Sequence, residues 1–533
     1  MKADLSRTTF NRLKHFSRVV AQQGRVQLDA DWNEQSSIML YQLRRLAADV
    51  IGPAGGPADN LGFGLDTLDP AIASPNAADF VIGAGHYYVD GILCELDAGW
   101  LAVTFADAKA KVKLPDLSVD GRPFRVNQYV SLADADPATK VAPVQARIVD
   151  IDYKGRVLTL TDISGFIAAK PKLPSLQRLT TFLTQPEGAP GAFEKGASQI
   201  YLDVWERLIT CVEDDAIREV ALNGPDTSAR TKVIWQIGML PGTGATCLTP
   251  GEIRDRLQPV NRGRLRARVR PGPTDTDPCT IDPDASYRGH ENQLYRVEVH
   301  SGSSTGKPTF KWSRENGAVV FPVASASGST LVLETLGRDD RFGLAEGDWV
   351  ELQDDSSVLA NRADPLLCVQ SIHRASRRVI LSGNVPTDFG KDGAKHPLLR
   401  RWDQRQGDPT AGGLSLLKPD NAAEIPPPAA DDQKGWLELE DGVEIQFVGP
   451  DNPIYRTGDY WLIPARVATG DVEWPHESVP GSAEKRPLAK LPDGITHHYA
   501  PLRVVEWDGT ALTLSKECRL QLPGAGPIAV RRR

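Results

Sequence analysis

Short runs of alternating apolar and polar residues, each cut off by glycine or proline after a few positions, recur along nearly the whole chain. A period of two turns one face of a strand to a core and the other to water, and Gly or Pro then reverses the backbone. A chain punctuated this way builds many short strands rather than long helices. Its 47 glycines and 40 prolines lie in no low-complexity tract, so they read as turns. The expected fold class is mainly β: several small β-barrel or sandwich modules in series, with one N-terminal helix.

That helix starts in "QQGRVQLDADWNEQ" (22–35). From Asp31 onward Trp32, Ser36, Met39, Leu43, Leu46 and Val50 recur at spacings of four and three, a heptad-like stripe interrupted by Ser36. Asp31 followed by Glu34 fits a capping box, and carboxylates there suit the helix dipole. Gly52-Pro53 is a stop signal. Asp29, Asp31 and Glu34 are therefore read as backbone organisers, not as catalytic acids. The stripe either packs on its own β domain or joins copies of the chain. Ahead of it Gly24 allows a bend, and Val26 and Leu28 could anchor an arm on its own chain or on another subunit's sheet. Val26, Leu28, Trp32, Met39, Leu43, Leu46 and Val50 are the candidate docking or oligomer-interface residues. Removing residues 1–51 is expected to leave the remainder folded but undocked.

Two hairpins stand out, "FVIGAGHYYVDGILCEL" (80–96) turning at Asp90-Gly91 and "FKWSRENGAVVFPV" (310–323) turning at Asn316-Gly317. A weak repeat links 127–162, 347–383 and 458–516, each an aromatic-plus-aliphatic strand, a loop and two further strands. The expected organisation is an arm and helix (1–60), a hairpin region (61–118), a first module (119–190), a central β domain (191–325), a second module (326–421), a Pro-rich linker and strand (422–445), and a third module with a long loop (446–533).

Chemistry is sparsely signalled. Net charge is −8 with a pI near 5.7, which disfavours non-specific nucleic-acid binding. The first twenty residues lack the apolar core of a secretory signal, and no apolar run is long enough to insert in a membrane. Cys94, Cys211, Cys247, Cys279, Cys368 and Cys518 are dispersed, which suggests neither a disulfide framework nor a zinc site and fits a reducing cytoplasm. No nucleophile elbow, phosphate loop, zinc-protease helix or dinucleotide fingerprint occurs, so no catalytic residue and no cofactor is assigned. Asp275, Asp277, Asp282 and Asp284 offer oxygens of the kind calcium takes, but not at EF-hand spacing. His497 and His498 are adjacent on an extended backbone and so face opposite ways, a poor metal clamp. Trp461, Trp474 and Trp507 are aromatics of the type that stack on sugars.

Several blocks carry a resemblance: "LSRTTFNRLKHFSRVVAQQGRVQLDADWNEQ", "GHYYVDGILCE", "YLDVWERLITCVEDDAIREVALNGPDTSARTKVIWQ", "DASYRGHENQLYRVEVH", "FKWSRENGAVVFPV", "YRTGDYWLIPARVATGDVEWP" and "HHYAPL". Together they resemble an uncharacterised bacterial domain family encoded with phage-tail-like contractile injection systems. The resemblance implies a non-enzymatic structural component at the baseplate or tail-fibre end, with baseplate or tail subunits as partners. It also implies assembly in the cytoplasm and incorporation into a particle that can end up outside the cell. Tail symmetry makes a homo-oligomer, a trimer included, the expected state. The alternative is a carbohydrate- or cell-surface-binding appendage with glycan-hydrolysing activity.

Overall fold

The computed structural model describes residues 1–533 except 74–77, 98, 120–121, 137, 140, 189–190, 259, 272–285, 410–411, 430–433, 480, 482–484 and 523–533. The chain is mainly β, in several small sheets with few helices. It divides into two interleaved units, one of residues 1–40, 206–232 and 258–496, the other of 41–205, 233–257 and 497–533.

The first unit holds a sandwich and a ring. In the sandwich, Arg264–Val269, Val443–Val448 and Leu437–Glu440 form one sheet. The facing sheet is built on Thr309–Ser313, Gln293–Val299 and Tyr460–Arg466. Alternation sends Leu265, Ile445 and Phe447 from one sheet and Val297, Phe310 and Trp461 from the other into a single core. In the ring, Val320–Ser327, Thr330–Leu333, Arg378–Leu381, Leu367–His373, Trp349–Gln353 and Leu398–Trp402 pair antiparallel and close on themselves. Phe321, Leu331, Val350, Val379 and Leu399 fill its interior.

The sandwich sheet is buried on its second face as well, and that face is charged. Arg296, Glu298, Lys311 and Glu351 are each 2% exposed. Lys311 Nζ lies 2.7 Å from both Glu351 oxygens and 3.5 Å from Glu298. Arg296 Nε donates to Glu298 at 2.6 Å, and the Trp402 indole N–H donates to Glu351 at 2.9 Å. Lys2 joins this layer, 2.9 Å from Glu298, and Asn316 Nδ2 donates to the carbonyls of Met1 and Ala3. Burial alone would raise the Glu298 carboxyl, but Lys2, Arg296 and Lys311 outweigh it and hold it well below the usual range.

His300, fully buried in the same unit, has no partner for either ring nitrogen among the described residues. Burial, reinforced by Lys311, lowers its pKa from 6.5 to about 4. The unfolded chain therefore binds this proton more readily between those two values, and the group withdraws stability as pH falls through them. Glu315, raised to about 7 mainly by burial, acts in the opposite direction, so a variant comparison is needed. Relative to His300→Gln, the wild type is expected to lose about 3 kcal/mol of unfolding free energy between pH 6.5 and 4. Denaturant midpoints measure this; a difference that stays constant with pH would refute it.

In the second unit, Gly85–Val89 and Ile92–Leu96 form the expected hairpin, with φ of 47° at Asp90 and 77° at Gly91. Gly91 is required twice over, because a Cβ there would also stand 2.0 Å from the Arg44 carbonyl oxygen. Ala54–Pro57 adds to this hairpin antiparallel and pairs in parallel with Gln521–Leu522. A nine-stranded sheet contains the meander Tyr129–Asp134, Val144–Asp152 and Val157–Leu160. His498–Trp507 runs antiparallel to Gly196–Ile209.

Four sequence expectations need correction. The Asn316-Gly317 turn forms, with φ of 52° and 68°, but its flanking strands do not pair: Thr309–Ser313 belongs to the sandwich and Val320–Ser327 to the ring. Residues 446–533 make no single module, because Tyr460–Arg466 pairs with Gln293–Val299 while His498–Trp507 pairs with Gly196–Ile209. The supposed linker begins inside a core, where Ala422 and Ala423 are fully buried in the strand Ala422–Glu424. Finally, Cys247 and Cys518 form a disulfide across a sequence separation of 271, with Cα atoms 5.7 Å apart. Dispersed cysteines had suggested none. Spacing in sequence carries no information about a bridge that long.

Candidate interaction surface

The acidic cluster at the helix start works on the chain itself. The helix runs Asp29–Ile51, three residues earlier than capping at Asp31 would give. Asp31 lies within its first turn, where its carboxylate accepts the Leu28 backbone N–H at 3.1 Å. Asp29 accepts both the backbone N–H and the hydroxyl of Ser6, at 2.9 and 2.6 Å. Burial would raise its pKa, but these Ser6 hydrogen bonds prevail and lower it. Glu34, expected to reach back to its own helix start, instead accepts the Thr9 hydroxyl at 2.6 Å. Gln35 Oε1 accepts the Val19 N–H at 2.7 Å. The segment from Ser6 to Val19 is thus strapped to the first turns of the helix. Arg466 donates to the Ser6 carbonyl, and Arg7 pairs with Glu473 at 2.8 Å. Gly52, at φ 92°, ends the helix by donating to the Ala48 carbonyl.

The candidate interface residues face outward. Val26 is 84% exposed, Trp32 66%, Met39 61%, Leu43 64%, Leu46 63% and Val50 75%. Leu28 is half exposed. The buried residues of the helix are Ala30 and Ile38, while Glu34, Gln35 and Ser37 are only partly exposed. The usual amphipathic arrangement is inverted: the large apolar side chains are on the wet face. Leu13, Phe16 and Val20 of the arm are exposed too. Of 26 large apolar side chains exposed among the described residues, 13 fall in residues 1–50. About a tenth of the described residues thus carries half of them, a dense apolar surface left in water. Removing residues 1–51 would also take Lys2 away from Glu298, so this segment is not the separable appendage the sequence suggested.

A family of unknown function, DUF6519, matches residues 1–112, 117–259 and 260–523. The chain belongs to this family. No curated protein and no solved structure matches it. The match to DUF6519 takes in the whole arm and helix.

Other candidates in this DUF6519 chain are occupied structurally. His497 Nδ1 lies 2.8 Å from Asp203 and His498 Nδ1 2.8 Å from Asp90, so the adjacent rings diverge to separate carboxylates. Those acids sit hundreds of positions away, and nothing in the local sequence signals them. Among the described residues, no group of three or more His, Cys, Asp or Glu side chains could hold a metal. Asp275, Asp277, Asp282 and Asp284 lie outside the described residues. Trp461 and Trp474, considered for sugar stacking, are buried, with their indole N–H groups donating to the carbonyls of Lys490 and Leu488. Trp507 is partly exposed.

Proposed function

We propose that this chain is a non-enzymatic structural component of a contractile injection or phage-tail-like particle, docked at the baseplate or fibre region through its N-terminal segment. The observation that carries the docking is the concentration of exposed apolar side chains in residues 1–50. The particle is suggested by the resemblance of the sequence blocks quoted above. An arm strapped to a preformed helix offers a partner an ordered apolar surface, so little conformational entropy is lost on docking.

The test uses the arm rather than the helix. A tagged Val20→Asp/Val26→Asp chain is compared with wild type for incorporation into particles made in the native host. Incorporation is expected to fall at least roughly tenfold, since each aspartate puts a charge where the interface needs an apolar anchor. Full occupancy of particles by the variant would rule out docking through this segment, and the recovery of no particle-bound wild-type chain would rule out the particle.

A further inference from the structure

We propose that the exposed seam of the helix Asp29–Ile51 mates with the same helix of another copy of this chain, a partner that refines the docking reading above and rests on it. The seam follows a seven-residue repeat: Trp32, Met39 and Leu46 at one core position, Ser36, Leu43 and Val50 at the other. A repeat of seven keeps a side-chain row facing a partner helix of the same pitch, whereas a groove in an unrelated surface imposes no such period. Each row supplies both knobs and holes, so it is complementary to itself.

Charge favours a like partner. The positions flanking the seam are Asn33, Gln35, Leu40, Gln42, Ala47 and Asp49, so Asp49 is the only charged one. Its carboxylate is met on its own helix by Arg45 at 2.9 Å. Two copies can therefore approach without setting like charges against each other, the usual barrier to homotypic pairing. Ser36, a polar residue in an otherwise apolar core row, would disfavour slipped registers. About three heptads is short for a coiled coil that must also fold its own helices. Here each helix is already fixed in its chain by the Asp29, Glu34 and Gln35 contacts and by its end at Gly52.

The test is the mass of the purified full chain in solution, by light scattering or sedimentation, for wild type and for Leu43→Glu/Leu46→Glu. Wild type is expected at twice 58.0 kDa or a higher whole multiple, and the variant at 58.0 kDa with an unchanged circular-dichroism spectrum and a cooperative melt. Leu43→Met/Leu46→Met, which keeps the seam apolar, is expected to retain the multiple. A wild type of single-chain mass at tens of micromolar, or a variant that stays associated, overturns the inference. Single-chain wild type that still enters particles overturns self-pairing alone; an associated chain that never enters particles overturns the particle reading alone.

Discussion

Lys311→Met is expected to destabilise the protein by about 3–5 kcal/mol, the cost typical of removing one partner from a buried ion pair. Lys311 lies between Glu351 and Glu298, and all three side chains are at most 3% exposed. Methionine fits the stem of the lysine but leaves Glu351, among the described residues, with the Trp402 indole N–H as its sole close donor. A buried carboxylate short of its cation either takes up a proton or pulls in water, and each costs folding free energy. The loss should shrink on acidification. Glu298 is held below its unfolded value of 4.5, so the stability it contributes is present above that pH and fades as pH falls further. A double variant, Lys311→Met/Glu351→Gln, should recover part of the loss, because neither group then carries an unmatched charge. Chemical denaturation of wild type, Lys311→Met, Glu351→Gln and the double variant measures this; a Lys311→Met chain as stable as wild type would show that the layer contributes nothing.

Trp461→Ala is expected to cost a similar amount, about 3–5 kcal/mol, for a different reason. Trp461 is completely buried where the two sandwich sheets meet, edge-on to Phe447 with ring centroids 6.1 Å apart. Truncation opens a cavity that neighbouring strands cannot collapse into, and the Lys490 carbonyl loses the indole donor at 3.0 Å. Because Lys490 also accepts the Leu265 N–H, both sheets would feel the change. The variant separates two roles for this aromatic. A core residue gives a lowered melting point, whereas a sugar-stacking residue gives an unchanged melting point with weakened glycan binding.

What the sequence revealed was mostly local. The Asp90-Gly91 hairpin is legible because a two-residue turn with positive φ at both positions needs those residue types. Asn316-Gly317 was equally legible as a turn, yet the pairing inferred from it fails. Phe310 and Trp312 are drawn into the sandwich core and Phe321 into the ring, and that long-range competition decides where each strand goes. The period of the seam could be read because a helix repeats at a fixed interval, but whether the seam packs on its own domain could not. The roles of Asp29 and Glu34 could not, because their partners Ser6 and Thr9 belong to a separate stretch of chain. In "FKWS" the alternation suggests one dry and one wet face, but both are buried here. The clue lay in opposite charges at one matched position of neighbouring strands, Glu298 facing Lys311.

The interleaving of the two units bears on how the protein is made. Gly85–Val89 emerges early from the ribosome, yet Gln521–Leu522, which pairs with the same sheet's Ala54–Pro57, and His498–Trp507, which backs the same hydrophobic core, are translated last. Between residues 89 and 498 lie roughly 20–80 s of synthesis at about 5–20 residues per second. During that interval Phe80, Tyr87 and Ile92 lack their final neighbours Ala500, Leu502 and Val505, so this core closes only when synthesis is nearly finished.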